Sequence, residues 1–374
     1  MNQTIVSYLS QYEFFDFLVK LFGNNQGLLA FTIYLLVALV IVVVCATIGG
    51  FGTYAERKIS ADLQQRIGPN RVGPYGLLQI LADGVKMLTK EDIMPYTADK
   101  FLFYLAPMLA LIGVFSTLAV LPWSSGFMMA DLNVGVFYLI AISSLVGVSV
   151  FLGGYASNSK WSMLGGMRGA SQIISYEIPV TISILAVTLL AGGMSFGTII
   201  GAQKGLPLNW FIFHNPFAFI AFFVFFTGAL AETNRAPFDL PEAESELVSG
   251  YHTEYTGMRF GFFALAEYIE VFVVCGVASA LFLGGPNLPV DVKIDIIPLQ
   301  LVQVVVFMTK TLLLYYVVIW IRWTLPRLRV DQLMSVCWKY LTPIAIFNLV
   351  GCAIWLVAFH GQSIAQLVLG GGHH

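Results

Sequence analysis

The stretch from Glu232 to Glu246 holds the densest chemistry in this 374-residue chain. Glu232, Asp239, Glu242, Glu244 and Glu246 share it with one arginine, Arg235, and Glu254 follows shortly after. Glu242 and Glu246 are four apart, so a helical segment would set two like charges on one face. Desolvation and repulsion would then lift at least one pKa toward neutrality, and carboxyls tuned that way can hand protons on. On a solvated loop the same residues would form only an acidic surface. Here long apolar runs bracket the segment, and Phe222, Phe223, Phe225 and Phe226 lead into it.

Other ionisable residues interrupt apolar runs. Glu267 and Glu270 lie one helical turn apart, Glu177 precedes Pro179, and Lys310 sits within a later run. A charge at membrane depth costs at least about 2.5–3.5 kcal/mol, so each is a functional candidate. The competing reading is a structural Glu–Lys pair that locks two helices. Earlier in the chain, Asp83 and Lys86 are spaced i,i+3 on a polar stripe, with Glu56, Arg57 and Lys58 upstream. Such a pair at a membrane surface can bind a polar headgroup, such as a quinone ring reached from the lipid, while Arg57 and Lys58 also suit a simple basic anchor.

The elements that must position these residues are membrane helices. Mean hydropathy is +0.81, with 58% hydrophobic and 11% charged residues, against roughly a quarter charged in soluble chains. Apolar runs at 28–53, 101–121, 134–155, 171–192, 211–231, 260–283, 298–321 and 341–359 are long enough for helical spans and too long for barrel strands. The expected fold is an all-α polytopic membrane protein of about eight transmembrane helices, one membrane domain over 1–374, with no separate soluble domain. Fifteen of the nineteen basic residues fall in the odd-numbered loops, three in the even loops and termini, and Lys310 in a span. The odd loops, including 54–100 and 232–259, are therefore expected to be cytoplasmic and both termini to lie outside. Within the first loop, Gly68–Pro74 is rich in turn formers, and Gly76 to Lys90 reads as an amphipathic interfacial helix. Its apolar face is Leu77, Leu78, Leu81, Val85 and Leu88; its polar stripe is Gln79, Asp83, Lys86 and Lys90.

Several classes are disfavoured. A net charge of −2 gives no nucleic-acid signal. Cys45, Cys275, Cys337 and Cys352 are isolated and the five histidines scattered, so no iron–sulfur, zinc or haem site is expected on this chain. Glu13 and Asp16 precede the first long apolar run without a basic leader, which argues against a signal peptide; residues 4–22 fit a short amphipathic surface helix. No internal repeat of the transporter kind is visible.

Four stretches, in order, resemble the H-type membrane subunit of respiratory complex I, the proton-pumping NADH:quinone oxidoreductase, whose animal homologue is the first mitochondrially encoded subunit. They are AERKISADLQQRIGPNRVGPYGLLQILADGVKMLTKED (55–92), SYEIP (175–179), AETNRAPFDLPEAESELVSGYHTEY (231–255) and RWTLPRLRVDQLMSVCWKYLTP (322–343). The resemblance implies a multi-pass subunit of the bacterial cytoplasmic (inner) membrane. Its cytoplasmic loops would lie under the peripheral arm, and a tunnel would admit quinone from the bilayer. It carries Arg57, Asp83, Lys86 and Arg235 over as quinone-binding positions, and Glu177, Glu232, Asp239, Glu242, Glu244, Glu246, Glu254 and Glu267 as an acidic path between quinone chemistry and proton movement. It implies no redox centre here, quinone as substrate, and NADH, FMN and iron–sulfur clusters on partner subunits. Membrane subunits of energy-converting hydrogenases share the acidic loop and are the alternative within the class. A stand-alone ion-coupled transporter would work without partners, and a purely structural anchor leaves the buried Glu177 and Glu267 unexplained. The N-terminal twenty residues and the GGGHH end match no motif.

Overall fold

The structure is a computed structural model that describes residues 26–125, 128, 130–205, 207–242, 244–288 and 299–359, without the side chains of 26–30, 33, 34, 37, 244 and 245. The expected 4–22 helix and the GGGHH end lie outside these residues. Two units are distinguished, Met1–Thr47 and Ile48–His374. Within the first, the described residues are the opening turns of helix α1; all sites below belong to the second.

The described residues are helical with connecting turns. Seven helices are long and apolar enough to cross a membrane. They are α1 (Gln26–Leu63), α3 (Lys100–Val120), α4 (Gly135–Ala156), α5 (Lys160–Ala191), α7 (Gly257–Phe282), α8 (Leu299–Thr324) and α9 (Val330–Ala358). The interfacial helix is α2 (Gln79–Thr89) and the short apolar helix is α6 (Pro216–Glu232). The fold class expected from the apolar runs is the one observed.

Helix ends depart from the runs for local reasons. The run 211–231 is broken: a single turn, Phe211–His214, precedes the 17-residue α6. Asn215 is extended there and accepts from the Ala218 amide, and Pro216 occupies the first turn. Asn before Pro is a helix start, because proline lacks the N–H a continuing helix needs and drives its predecessor out of the α region. At 1.5 Å per residue α6 is about 25 Å long, shorter than a ~30 Å hydrocarbon core. In the other direction, α1 runs ten residues past its apolar run through the helix formers Ala55–Leu63, and α5 begins at Lys160 rather than 171. In α9, a turn of π-helix at Val336–Leu341 precedes Pro343. Widening the turn there accommodates the proline ring and its missing donor.

α5 lies centrally, packed against α4, α6 and α9, while α3 packs on α4 and α7. α4 and α5 cross at glycines: a Cβ on Gly154 would lie 2.8 Å from Gly166 Cα, the close backbone approach that small residues allow between membrane helices. The two ends of the bundle differ. At one end, ion pairs bind the odd loops together. At the other, Gln203 bonds the Ala280 and Leu281 carbonyls and accepts from the Gly284 amide, and Lys310 caps the turn after α7.

Candidate functional site

The acidic loop is folded onto α5 by side chains that satisfy its backbone. Gln172 Nε2 donates to the Ala231 and Phe238 carbonyls at 2.8 and 2.7 Å, Tyr176 packs its ring on Phe238, and the Leu328 amide reaches Pro237 O at 3.1 Å. Gly250 sits at φ 61°, where a Cβ would fall 1.6 Å from Pro241 O, so only glycine closes the loop at that point.

Arg235 is the hub. Its Nη1 donates to Glu56 Oε2 at 2.7 Å, its Nε lies 3.0 Å from Glu267 Oε1, and its guanidinium stands 4.4 Å from the Tyr268 ring centre. Arg322 binds the other oxygen of Glu56. The Arg235, Glu56 and Glu267 side chains are 4%, 8% and 17% exposed, so this is a desolvated ion-pair network joining α1, loop three, α7 and α8. Burial works against the charge on Arg235, but Glu267 and Glu56 outweigh it and raise its pKa. Glu267, one turn from Glu270 in the sequence, thus has the Arg235 guanidinium as its ion-pair partner.

The next residue on α1 serves a different cluster. Successive helical residues point about 100° apart; Glu56 faces inward, and Arg57 reaches Asp83 Oδ2 at 2.5 Å on α2. Gln79 donates to Asp83 at 3.1 Å and Lys86 stands 3.6 Å from it. Burial alone would raise the Asp83 pKa, but the Gln79 and Arg57 hydrogen bonds and the Arg57 and Lys86 charges outweigh it and lower it. Helix α2 seats Ile80 over Gly50 and Met87 near Gly261, leaving Leu77, Leu78, Leu81, Val85 and Leu88 exposed on a separate face. Of the four proposed quinone-binding residues, three share this cluster and Arg235 lies inside the bundle, linked to them through consecutive positions 56 and 57.

The acidic residues disperse among three settings. Asp239 pairs with Arg327 at 2.9 Å and Glu246 with Arg168 at 2.7 Å, the latter half-exposed. Glu242 accepts from Tyr251 Oη at 3.3 Å and stands 3.7 Å from His252 Nδ1. Burial first, then the charges of Glu267 and Asp239, raise the Glu242 pKa; burial lowers His252 to about 4. Among the described residues of this segment, helix is confined to the turn Glu244–Leu247, so Glu242 and Glu246 do not share the expected helical face; Glu246 pairs with Arg168 and Glu242 accepts from Tyr251. The side chain of Glu244 lies outside those described, and Glu254 is half-buried beyond the Gly250–His252 turn. Glu177 and Glu232 line a cavity of ≈ 40 Å³ between α3, α4, α5, α6 and α7, together with Glu270, Ser143, Thr117 and Thr181. That is space for about two or three waters.

Sequence reasoning singled out neither Glu56 as the partner of Arg235, nor Arg322 as the second cation on Glu56, nor the cavity position of Glu270. The 179-residue separation of Glu56 and Arg235 leaves no local spacing signal. It also missed Arg259, which pairs with Asp92 at 2.9 Å and lies over the Tyr104 ring at 4.0 Å, binding loop one to α7. Lys310 makes no Glu–Lys pair in the described structure. Its ammonium donates to the Leu283, Gly285 and Asn287 carbonyls at 2.7, 2.9 and 3.0 Å, with the Trp210 ring at 4.1 Å. Among the described residues, no group of three or more His, Cys, Asp or Glu is arranged to hold a metal ion.

Fold and site together define a polytopic helical membrane protein whose odd loops are knit by ion pairs around membrane-depth carboxyls. The chain belongs to the NADH dehydrogenase family, whose profile matches residues 35–353, and within it stands with the H subunits of NADH-quinone oxidoreductase. It is 44% identical to the NADH-quinone oxidoreductase H subunit of Anaeromyxobacter dehalogenans (strain 2CP-C), over 89% of this chain and 84% of that protein. It is 48% identical to the Chlorobaculum tepidum H subunit, over 82% of this chain and 88% of that one. The Brevibacillus brevis H subunit is also 48% identical, over 86% and 93%.

Proposed function

We propose that this chain is the membrane subunit of a proton-translocating NADH:quinone oxidoreductase that admits quinone from the bilayer and links its reduction to proton movement. In this role quinone is the substrate, while NADH, FMN and the iron–sulfur clusters are handled by partner subunits: the peripheral-arm quinone-site and terminal iron–sulfur chains, beside small membrane neighbours. The protein sits in the bacterial inner membrane with periplasmic termini, and loops 54–100 and 232–259 face the peripheral arm. The relatives quoted above carry the quinone oxidoreductase name, which weighs against the hydrogenase alternative.

One observation carries the quinone half. Helix α2 presents an uncovered apolar face beside the Arg57–Asp83–Lys86 cluster, which suits an apolar tail with a polar headgroup. Arg57 and Lys86 are cations that hydrogen-bond quinone oxygens, and Asp83 fixes both. Arg235 binds Glu56, the α1 residue next to Arg57, so charge changes at the headgroup are felt by Glu56, Glu267 and Glu242. From there Asp239, Glu244, Glu246 and Glu254 offer proton uptake from the loop surface, and Glu232 and Glu177 carry protons into the bundle.

The experiment is to purify the complex from native membranes, identify its chains, and compare two activities in Asp83→Asn and Lys86→Ala. Flavin and iron–sulfur subunits should co-purify; a nickel–iron catalytic subunit would favour a hydrogenase. Quinone reduction should fall while NADH oxidation by an artificial acceptor persists. In variants confirmed to assemble, equal loss of both would contradict the quinone role.

A further inference from the structure

We infer that Glu270 is a proton-carrying residue at membrane depth, completing with Glu177 and Glu232 a water-filled exchange node distinct from the Arg235–Glu267 ion pair. The inference rests on the acidic-path reading above and adds a residue to it.

Three observations converge. First, Glu267 and Glu270 leave α7 in different directions. Three residues rotate a helix by about 300°, about 60° short of a full turn and one turn further along the axis, and while Glu267 meets Arg235, Glu270 lines the cavity shared with Glu177 on α5 and Glu232 on α6. Three helices thus each contribute one carboxyl to one small space. Second, the space suits water: ≈ 40 Å³, rimmed by carboxyls and by the Ser143, Thr117 and Thr181 hydroxyls, meets the polar-partner requirement of a hydrated cavity. The hydroxyls of Ser143 and Thr117 bond carbonyls of their own helices and keep oxygen lone pairs for water. Third, Glu232 Oε1 is fully buried with no hydrogen-bond partner among the described residues, which is costly unless water or a shared proton reaches it.

Glu270 has no ion-pair partner among the described residues, whereas a proton crossing Glu267 would have to displace the Arg235 pair. A proton arriving on one carboxyl oxygen leaves from another through hydrogen-bonded water, so only O–H bonds are made and broken and no redox partner is needed. The apolar side of the cavity, Val273, Val274 and Val277 on α7 with Phe225 on α6, keeps the exchange local.

The test measures protons translocated per NADH oxidised in inverted membrane vesicles, in variants confirmed to assemble by native electrophoresis. Glu270→Gln keeps the shape and removes the exchangeable charge. Ser143→Leu fills the cavity without touching a carboxyl. Glu177→Gln reports on the acidic path itself. The expected result is loss of translocation per NADH in all three, with oxidation by an artificial acceptor retained. If Glu177→Gln loses translocation while Glu270→Gln keeps it, Glu270 is no carrier and the path stands without it. If both keep it, the acidic-path reading fails and this inference with it. Should Glu270→Gln fail to assemble, Ser143→Leu decides: retained translocation with the cavity filled overturns the node, and its loss supports it.

Discussion

The guanidinium of Arg235 holds Glu267 through Nε at 3.0 Å while its Nη1 binds Glu56 at 2.7 Å. One buried cation thus ties the acidic loop to α1 and α7. Removing one partner of a buried pair leaves the other charge unsatisfied, at about 3–5 kcal/mol. Arg235→Gln, which strands Glu267 and leaves Glu56 to Arg322 alone, should therefore deplete the assembled subunit from membranes. Arg235→Lys should also destabilise, since a point charge does not reproduce the two-sided fork. Glu267→Gln, which keeps an oxygen facing Nε, should be milder. Quantifying the subunit in membranes and the melting temperature of the purified complex checks the order; a stable Arg235→Gln complex would contradict it.

The burial of Glu242 and His252 sets a pH dependence with two limbs. Folded His252, lowered by burial to about 4, refuses a proton that the unfolded chain accepts below its ordinary 6.5, so stability falls as pH drops from 6.5 toward 4. Glu242 behaves oppositely: burial, Glu267 and Asp239 raise its pKa, so the folded state keeps a proton that the unfolded carboxyl releases above 4.5, and stability falls as pH rises through the raised value. His252→Gln should flatten the acid limb of thermal stability and Glu242→Gln the limb above it. Unchanged profiles in both would refute the assignment.

Topology follows from the basic residues. A single cysteine placed at Arg66 or Arg71 should be protected from a membrane-impermeant reagent in intact cells and labelled in inverted vesicles, because fifteen of nineteen basic residues share the odd loops. Labelling in intact cells would reverse the orientation.

How much of this was legible varied with the range of the interaction. Hydropathy placed the spans because lipid demands long apolar helices, and i,i+3 spacing gave the Asp83–Lys86 pair. The break before α6 was written in Asn215–Pro216 and masked by the surrounding phenylalanines. The Arg235–Glu56 pair and the convergence of Glu177, Glu232 and Glu270 depend on helix packing and rotation, which local sequence does not encode. Lys310 was misleading for another reason: its partners are backbone carbonyls, which leave no trace in side-chain identity.

The coupling of quinone reduction to proton movement through these carboxyls is tested most directly at Glu232, whose Oε1 is buried without a hydrogen-bond partner among the described residues. The measurement is the ratio of protons translocated to NADH oxidised in vesicles carrying an assembled Glu232→Gln complex. The expected result is that NADH oxidation by an artificial acceptor persists while protons per NADH fall. An assembled Glu232→Gln complex with an unchanged ratio would contradict the proton path.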